Sequence, residues 1–437
     1  MHFTRRQFLA GSAAALAVPP ALLRGPALLR GGETAPQRRP RIAALASTYH
    51  KYAHAQHIVD RFLEGYGWEG RHRRPEMDVV ALYVEQAGPD DLSRERAGRH
   101  PQMKIYPTIA EALCQGGSAL DVDGVLLIAE QGSYPSNDKG QTLYPRYEYF
   151  RQIVDVYRSS GRVAPVFVDK HLSWNWDYAL EMVETSRAMG FGLMAGSSLP
   201  VTWRHPSRDL PWQADVREAV GVWRGGPDGG DIHVIEALQA IVERRRGGER
   251  GVRAVQALRG EAFWQAFDAG SWDAGGWDGD LLHATLARSH ELVPSRPTFN
   301  HIFPTPEDIR RMAPDSYAYR FEYADGLRAT IIQLNEGEGQ GVVRDVNVAA
   351  RLGDGEVFSV LCHLPYRSLR NFFSPQVRHI ETLIATGTAP YPVERTLLTT
   401  GMTAAGLESL AQQQRKLATP HLTFTYQPVQ QSMFWRS

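Results

Sequence analysis

The sequence predicts a doubly wound parallel α/β domain followed by an α+β domain with an open antiparallel sheet. Three observations support this prediction. Short apolar runs alternate with amphipathic segments from residue 41 to about residue 205, as in strands spaced by helices. After about residue 210 the pattern changes to longer extended segments that follow one helix. The length of 437 residues suits two domains.

The first domain contains five predicted strands with helices between them. The strands are the short apolar runs at 41–46, 77–84, 122–129, 163–168 and 192–196. One predicted helix begins at residue 53 and stops at Gly65. Four others cover 91–99, 109–113, 147–157 and 178–189. Ligands of such a sheet bind at the carboxyl ends of its strands.

The second domain is predicted to be an open antiparallel sheet with helices on one face. Residues 322–332 form two strands around an Asp-Gly turn, and 342–363 add extended segments. Helices are predicted at 233–244 and 395–413. We therefore divide the chain into a first domain at 41–205 and a second at 206–437, the second serving substrate binding and homo-oligomerisation through its sheet.

Composition excludes several classes of protein. Lys plus Arg and Asp plus Glu both number 48, so the net charge is zero and a nucleic acid partner is not expected. The two cysteines, Cys114 and Cys362, exclude a disulfide scaffold and a four-thiolate zinc site.

The first 40 residues are predicted to be a signal peptide and a flexible lead-in. Arg5 and Arg6 precede a short apolar run at 12–18, a pattern that resembles a twin-arginine export signal. The alternative is an ordinary secretory signal. The run is shorter than the roughly 20 residues of a membrane span, so no stable membrane anchor is expected. A periplasmic or other extracytoplasmic location follows.

Five segments in order resemble a known family. They are 122–128, 166–172, 230–236, 323–330 and 390–394. Together they are similar to the glucose–fructose oxidoreductase, inositol dehydrogenase and rhizopine-catabolism (Gfo/Idh/MocA) family over about residues 41–415. The resemblance implies a Rossmann-like first domain, NAD(P) as cofactor, and a sugar or polyol as the small-molecule substrate.

The resemblance also implies catalytic residues. Lys170 matches the family lysine that hydrogen-bonds the reacting hydroxyl, and His233 matches the family's catalytic histidine, a general base. Asp169 is a candidate for orienting Lys170. A surface lysine and a helix-capping or core histidine are the structural alternatives, and neither residue is expected in the core.

Further residues beside these motifs or at strand ends are predicted to contact the substrate. They are Trp174, Arg204, His171, Glu130, Asp231 and Glu236. Trp174 suits stacking on a sugar face, or else packs its helix onto the sheet. Arg204 suits a clamp on a carboxylate or on hydroxyls.

The chain departs from the family at the expected nucleotide site. The turn at 46–54 contains no glycine, although glycine normally lets a pyrophosphate approach a helix N-terminus. Thr48 and Tyr49 are the nearest candidates for phosphate contacts, and Glu85 is the nearest acidic candidate for the ribose. These departures put nucleotide binding in question.

A divalent metal is the other cofactor considered. His50, His54 and His171 are the candidate ligands, and Glu130 and His233 lie at the same predicted edge. Fifteen histidines, however, make coincidental spacings common. Two functions stay open: an exported oxidoreductase that uses NAD(P) on a sugar or polyol, or a nucleotide-independent protein of the same fold. The latter is either a sugar lyase, hydratase or isomerase that uses a metal, or a carbohydrate-binding protein.

Overall fold

The computed structural model describes residues 38–292, 303–336, 342–365 and 370–435. The predicted export signal, including Arg5 and Arg6, lies outside these residues. Within them, no helix is both long enough and apolar enough to cross a membrane.

The first part of the chain alternates strands and helices, as predicted. Its strands are β1 (Arg41–Ala46), β2 (Tyr66–Trp68), β3 (Arg71–Arg73), β4 (Asp78–Val84), β5 (Lys104–Ile105), β6 (Gly124–Ile128), β7 (Val166–Asp169) and β8 (Leu193–Gly196). Its helices are α1 (His54–Glu64), α2 (Ser93–Arg99), α3 (Ile109–Cys114), α4 (Arg146–Ser160) and α5 (Trp176–Met189). The hairpin of β2 and β3 was not predicted.

From residue 204 onward, the described residues contribute a second sheet and six α-helices. Its strands are β9 (Arg204–His205), β10 (Val216–Trp223), β11 (Val252–Arg259), β12 (Tyr317–Tyr323), β13 (Arg328–Gln333), β14 (Val346–Leu352), β15 (Val357–Cys362) and β16 (Leu417–Ala418). Its helices are α6 (Asp231–Val242), α7 (Glu261–Ala269), α8 (Gly279–Arg288), α9 (Pro306–Met312), α10 (Phe373–Thr386) and α11 (Glu394–Ala411).

The first sheet confirms the predicted doubly wound topology. Its order is β5-β4-β1-β6-β7-β8, and all its strand pairs are parallel. Val125 pairs with Val166, so β6 and β7 are neighbours. The strand order reverses between β1 and β6, and the crevice at such a switch point is the usual ligand site of this topology.

The second sheet is mixed rather than purely antiparallel. Its order is β16-β11-β12-β13-β10-β14-β15-β9, and β10 pairs in parallel with β13. The predicted Asp-Gly turn joins β12 to β13, and Gly326 has a φ of +94°, which glycine adopts without steric cost.

Helices cover both faces of the second sheet, whereas the sequence predicted helices on one face. Alternate strand residues face opposite cores, as the period of two requires. Val220 and Ile332 pack with Phe263, Leu281 and Ile309 of α7, α8 and α9. Ala219, Ile331 and other alternate residues pack on the side of α6 and α11.

Candidate active site

The candidate site lies at the carboxyl ends of β1, β6 and β7, beside the switch point of the first sheet. Glu130 follows β6 by two residues, and Lys170 follows β7 directly. His54 begins α1, which follows β1. The parallel topology explains why residues so far apart in sequence meet at one edge.

Lys170 connects this edge to the helix that carries His233. Lys170 is buried, with 7% of its surface exposed. The expectation that it lies outside the core is therefore wrong, and so is the alternative that it is a surface lysine. Its ammonium forms an ion pair with Glu130 and donates a hydrogen bond to the carbonyl of Gly229 at 3.1 Å. Gly229 lies two residues before α6, which contains His233.

Glu130 holds two cations at once. Its carboxylate forms buried ion pairs with Lys170 and with Arg146 at the start of α4. Burial alone would raise the pKa of Glu130, but the charges of Lys170 and Arg146 lower this pKa to about 2. Glu130 is therefore ionised at neutral pH. Arg146 carried no sequence signal, because it is one of many arginines.

His233 shares the electrostatic environment of Lys170. Burial, followed by the charge of Lys170, lowers the pKa of His233 well below its usual value. His233 is therefore neutral at pH 7. The ring of Trp223 lies edge-to-face against it at 5.4 Å between centroids. Within the described chain, Nδ1 of His233 has no hydrogen-bond partner.

Asp169 and His54 form a dyad. Nδ1 of His54 lies 2.6 Å from Oδ2 of the fully buried Asp169. A carboxylate only accepts hydrogen bonds, so Nδ1 carries a hydrogen, and in the neutral form of the ring Nε2 has the lone pair. His54 lies near enough to Glu130 and His233 to influence both pKa values. The sequence had suggested that Asp169 orients Lys170, whereas the structure pairs it with His54.

We call Lys170, Glu130, His54, Asp169 and His233 the lysine site. The second carboxylate oxygen of Asp169, Oδ1, has no hydrogen-bond partner among the described residues. The ring of Phe373 lies edge-on to His54 at 5.3 Å. The site thus combines unpaired polar atoms with flanking aromatic rings, a combination that suits a hydroxylated ligand.

The three histidines predicted as metal ligands do not converge. His54 is held by Asp169, and Nδ1 of His50 lies 3.0 Å from the carbonyl oxygen of Lys51. His171 is buried, and burial lowers its pKa well below its usual value. Across the described ranges, no group of three or more His, Cys, Asp or Glu side chains is arranged to hold a metal ion.

Two of the predicted substrate contacts are engaged within the protein at the start of α6. Asp231 accepts hydrogen bonds from the hydroxyls of Tyr317 and, at 2.8 Å, Tyr319. Glu236 accepts a hydrogen bond from the backbone N–H of Ser197 at 2.7 Å. Burial raises the pKa of each of these carboxyl groups to about 7. Both side chains are fully buried and stabilise the helix position.

Two more of the predicted contacts also have protein partners. Arg204 lies in edge strand β9, is 2% exposed, and forms an ion pair with Asp209 at 3.0 Å. Its guanidinium also stacks over Phe434. Trp174 is half-buried, and its ring packs edge-to-face on Tyr178 of α5. The Trp174 ring thus contacts the helix that follows it.

Two of the three residues predicted to contact a nucleotide have hydrogen-bond partners within the protein. Tyr49 is buried and its hydroxyl donates to Asp60 of α1 at 2.5 Å. Thr48 is half-buried, and its hydroxyl has no partner in the described structure. Glu85 accepts a hydrogen bond from the hydroxyl of Tyr134. The N–H of His54, in the first turn of α1, donates to Oε1 of Gln131 at 2.8 Å.

Solved structures of several dehydrogenases resemble this fold. GenD2 from gentamicin A biosynthesis, in complex with NAD, aligns with a TM-score of 0.54 and 14% identity over 87% of this chain and 96% of that one. Myo-inositol dehydrogenase from Lactobacillus casei, in complex with NAD(H) and myo-inositol, gives 0.51 and 10% over 87% and 97%. A probable dehydrogenase from Thermotoga maritima gives 0.51 and 12% over 87% and 99%.

These similarities establish the fold. The chain has the Rossmann-like domain and the second sheet domain found in dehydrogenases of the Gfo/Idh/MocA type. No protein-family model and no curated protein matches the sequence.

The residues at the switch point do not fit a dinucleotide. In this topology the pyrophosphate binds at the N-terminus of the first helix, and an acidic residue after the second strand binds the ribose. Here the N–H of His54 already donates a hydrogen bond to Gln131, and Glu85 already accepts one from the hydroxyl of Tyr134. The chemistry available at the lysine site is therefore derived from its own side chains.

Proposed function

We propose that this protein is a carbohydrate-active enzyme that binds a sugar or polyol at the lysine site and transfers a proton there. The observation that carries the proposal is the convergence of one buried ammonium, Lys170, with the imidazoles of His54 and His233 at the sheet edge where this topology binds ligands.

Each side chain has a role that follows from its partners. The ammonium of Lys170 stabilises an oxyanion that develops on a sugar oxygen. His54, with Nδ1 held by Asp169, presents Nε2 as the general base. His233 is neutral, so its ring donates one hydrogen bond and accepts another, as a sugar hydroxyl requires.

The similarity in fold supports the substrate class. One similar structure is named a myo-inositol dehydrogenase and holds myo-inositol, which is a polyol. The sequence segments that contain Lys170 and His233 resemble the same group of enzymes. The aromatic rings of Trp223 and Phe373 lie against the two histidines, His233 and His54.

Calorimetry with the full chain tests this proposal. The probes are myo-inositol, D-glucose and D-glucuronate, each titrated into wild type, Lys170→Met and His54→Gln. Lys416→Met is the control, because Lys416 forms an ion pair with Glu322 at the surface, outside the site. At least one probe should bind wild type and the control equally, and bind each site variant about tenfold more weakly, which corresponds to about 1.4 kcal/mol.

The proposal fails if no probe binds wild type, or if binding is the same in the site variants. His54→Gln guards against a folding defect in Lys170→Met, because His54 is partly exposed whereas Lys170 is buried. Once a substrate has been identified, His54→Gln, which removes the general base, should lower turnover by about a hundredfold or more.

A further inference from the structure

The loop after β6 lies across the crevice in which this topology places a dinucleotide. We call residues 131–142 the crevice loop. Its hydrogen bonds reach the ends of β1 and β4 and the first turn of α1. These contacts take up two of the groups that a nucleotide would use, the N–H of His54 and the carboxylate of Glu85, whereas the hydroxyl of Thr48 has no partner in the described structure.

The first contact concerns the phosphate position. The side-chain carbonyl of Gln131 accepts the N–H of His54 at 2.8 Å, as a phosphate oxygen would at a helix N-terminus. The hydroxyl of Ser47, at the end of β1, donates to the main-chain carbonyl of Gln131. The N–H of Tyr52 is bound by Gln56 at 2.5 Å. Two N–H groups of this turn therefore already have internal partners.

The second contact concerns the ribose position. Glu85 follows β4 and accepts the phenol hydroxyl of Tyr134, which replaces a ribose hydroxyl in this interaction. Next to it, the N–H of Ser133 donates to Oε1 of Gln86 at 2.8 Å, and Gln86 donates back to the carbonyl of Ser133 at 3.2 Å. Gly132 has a φ of +124°, which side chains other than glycine rarely adopt, so another residue there would strain the loop.

The far end of the crevice loop is fixed as well. The N–H of Thr142 donates to Oδ2 of Asp228 at 2.8 Å, and Asp228 precedes α6. The side chain of Gln141 donates to the carbonyl of Trp174 at 2.9 Å. The loop is therefore anchored at both ends, on the nucleotide side and on the side of His233.

We propose that the crevice loop replaces the dinucleotide in this protein and that the lysine site carries out a redox-neutral elimination. The elimination rests on the proposed function, whereas the replacement of the dinucleotide by the crevice loop does not. A hydride transfer needs a hydride acceptor in this crevice, and the loop fills it. An elimination needs only a base, an acid and a stabilised oxyanion, which the lysine site supplies.

The step balances without an external oxidant. The substrate is a sugar derivative with a carbonyl group. Nε2 of His54 takes the proton from the carbon next to the carbonyl, and Lys170 stabilises the oxyanion of the resulting enolate. The enolate electron pair then forms a carbon–carbon double bond as the C–O bond at the next carbon breaks. The leaving hydroxyl takes the proton from His54 and departs as water.

Two measurements on the full chain test the closed crevice. Purified protein is denatured and its supernatant analysed by mass spectrometry for NAD(H), NADP(H) and flavins. Native protein is titrated with NADH and NADPH to millimolar concentration and followed by nucleotide fluorescence. We expect no released nucleotide and no saturable binding. An equivalent of released nucleotide, or saturable binding of either probe, overturns the inference.

A crosslink tests whether the loop must open. Gln86→Cys combined with Ser133→Cys is designed to join the crevice loop to the end of β4, and the reduced form of the same variant is its control. Binding of the sugar identified by calorimetry should be equal in the oxidised and reduced forms. Loss of binding only on oxidation overturns the inference. Failure of all sugar probes instead rejects the proposed function, and the nucleotide measurements still decide the crevice.

Discussion

Lys170 and Glu130 form an ion pair in which both side chains are more than nine-tenths buried. Glu130 also pairs with Arg146, so a single carboxylate balances two buried cations. Removing ions from water is costly, and each member of such a group depends on the others for compensation. The lysine site is therefore tied to the stability of the fold.

Replacement of Lys170 should destabilise the protein as well as impair the site. Lys170→Met leaves Glu130 with one cation instead of two, and breaking a buried pair costs about 3–5 kcal/mol. Lys416→Met, which breaks a more exposed pair with Glu322, should cost less than about 1 kcal/mol. Urea unfolding measures both. Equal losses would contradict the buried pair.

Glu236 should make stability decline with increasing pH. Burial raises its folded pKa to about 7 from an ordinary value of 4.5. Because the folded pKa is the higher one, the contribution is complete below about pH 4.5 and is lost as the pH rises through about 7. Glu236→Gln cannot ionise and should reduce this decline by on the order of 3 kcal/mol.

The measurement is the free energy of unfolding between pH 4 and 8, with wild type and Glu236→Gln compared at each pH. Asp231, whose pKa is also about 7, is present in both proteins and contributes a common decline. Parallel curves would show that Glu236 is ionised in the folded protein at lower pH than its burial indicates.

The fold was largely predictable because it depends on patterns along the chain. Buried parallel strands such as β6 and β7 appear as short apolar runs, and each was placed within a few residues. The extra face of the second sheet was missed. Helices α7 to α9, which interrupt the strands between β11 and β12, were not predicted, and the face of the sheet that they cover was therefore missed with them.

The sequence pointed to candidate site residues by two routes. Lys170 and Glu130 were proposed because they lie at strand ends, and His233, in α6, was proposed from the resemblance of its segment to the family. The partner of Asp169 was not found, because His54 is 115 residues away and only the sheet order brings the two together. Arg204 was assigned to substrate because sequence shows its charge but not its partner Asp209.

The dyad predicts the tautomer of His54. With Nδ1 bound to Asp169, His54 should carry its hydrogen on Nδ1 when neutral. His379 provides an opposite internal control, because its Nε2 lies 2.7 Å from the carbonyl oxygen of Met433 and should therefore carry the hydrogen. Long-range proton–nitrogen NMR of histidine-labelled protein distinguishes the two forms. Asp169→Asn should remove the preference at His54 and leave His379 unchanged.

The same spectra contain the outcome that would reject the dyad. A neutral His54 that carries its hydrogen on Nε2 in wild type could not donate to Asp169, and Nε2 would then be unavailable as a base.

We propose that the protein is exported by the twin-arginine route, on the basis of Arg5 and Arg6 ahead of the apolar run. Replacement of both by lysine should retain the protein in the cytoplasm, because the paired guanidiniums are the recognised feature. Cell fractionation with immunoblotting measures this, and Arg38→Lys, outside the proposed signal motif, is the control. Normal export of the double variant would reject the twin-arginine assignment.

The backbone of Lys170 has a consequence for engineering. Its φ of +62° lies in the left-handed region, which glycine adopts freely and which costs other residues on the order of 1 kcal/mol or more. A stabilisation programme guided by backbone geometry alone would therefore select Lys170→Gly, which removes the proposed oxyanion contact. Position 170 should be held fixed in any such programme, because here backbone optimisation and the proposed activity make opposite demands on one residue.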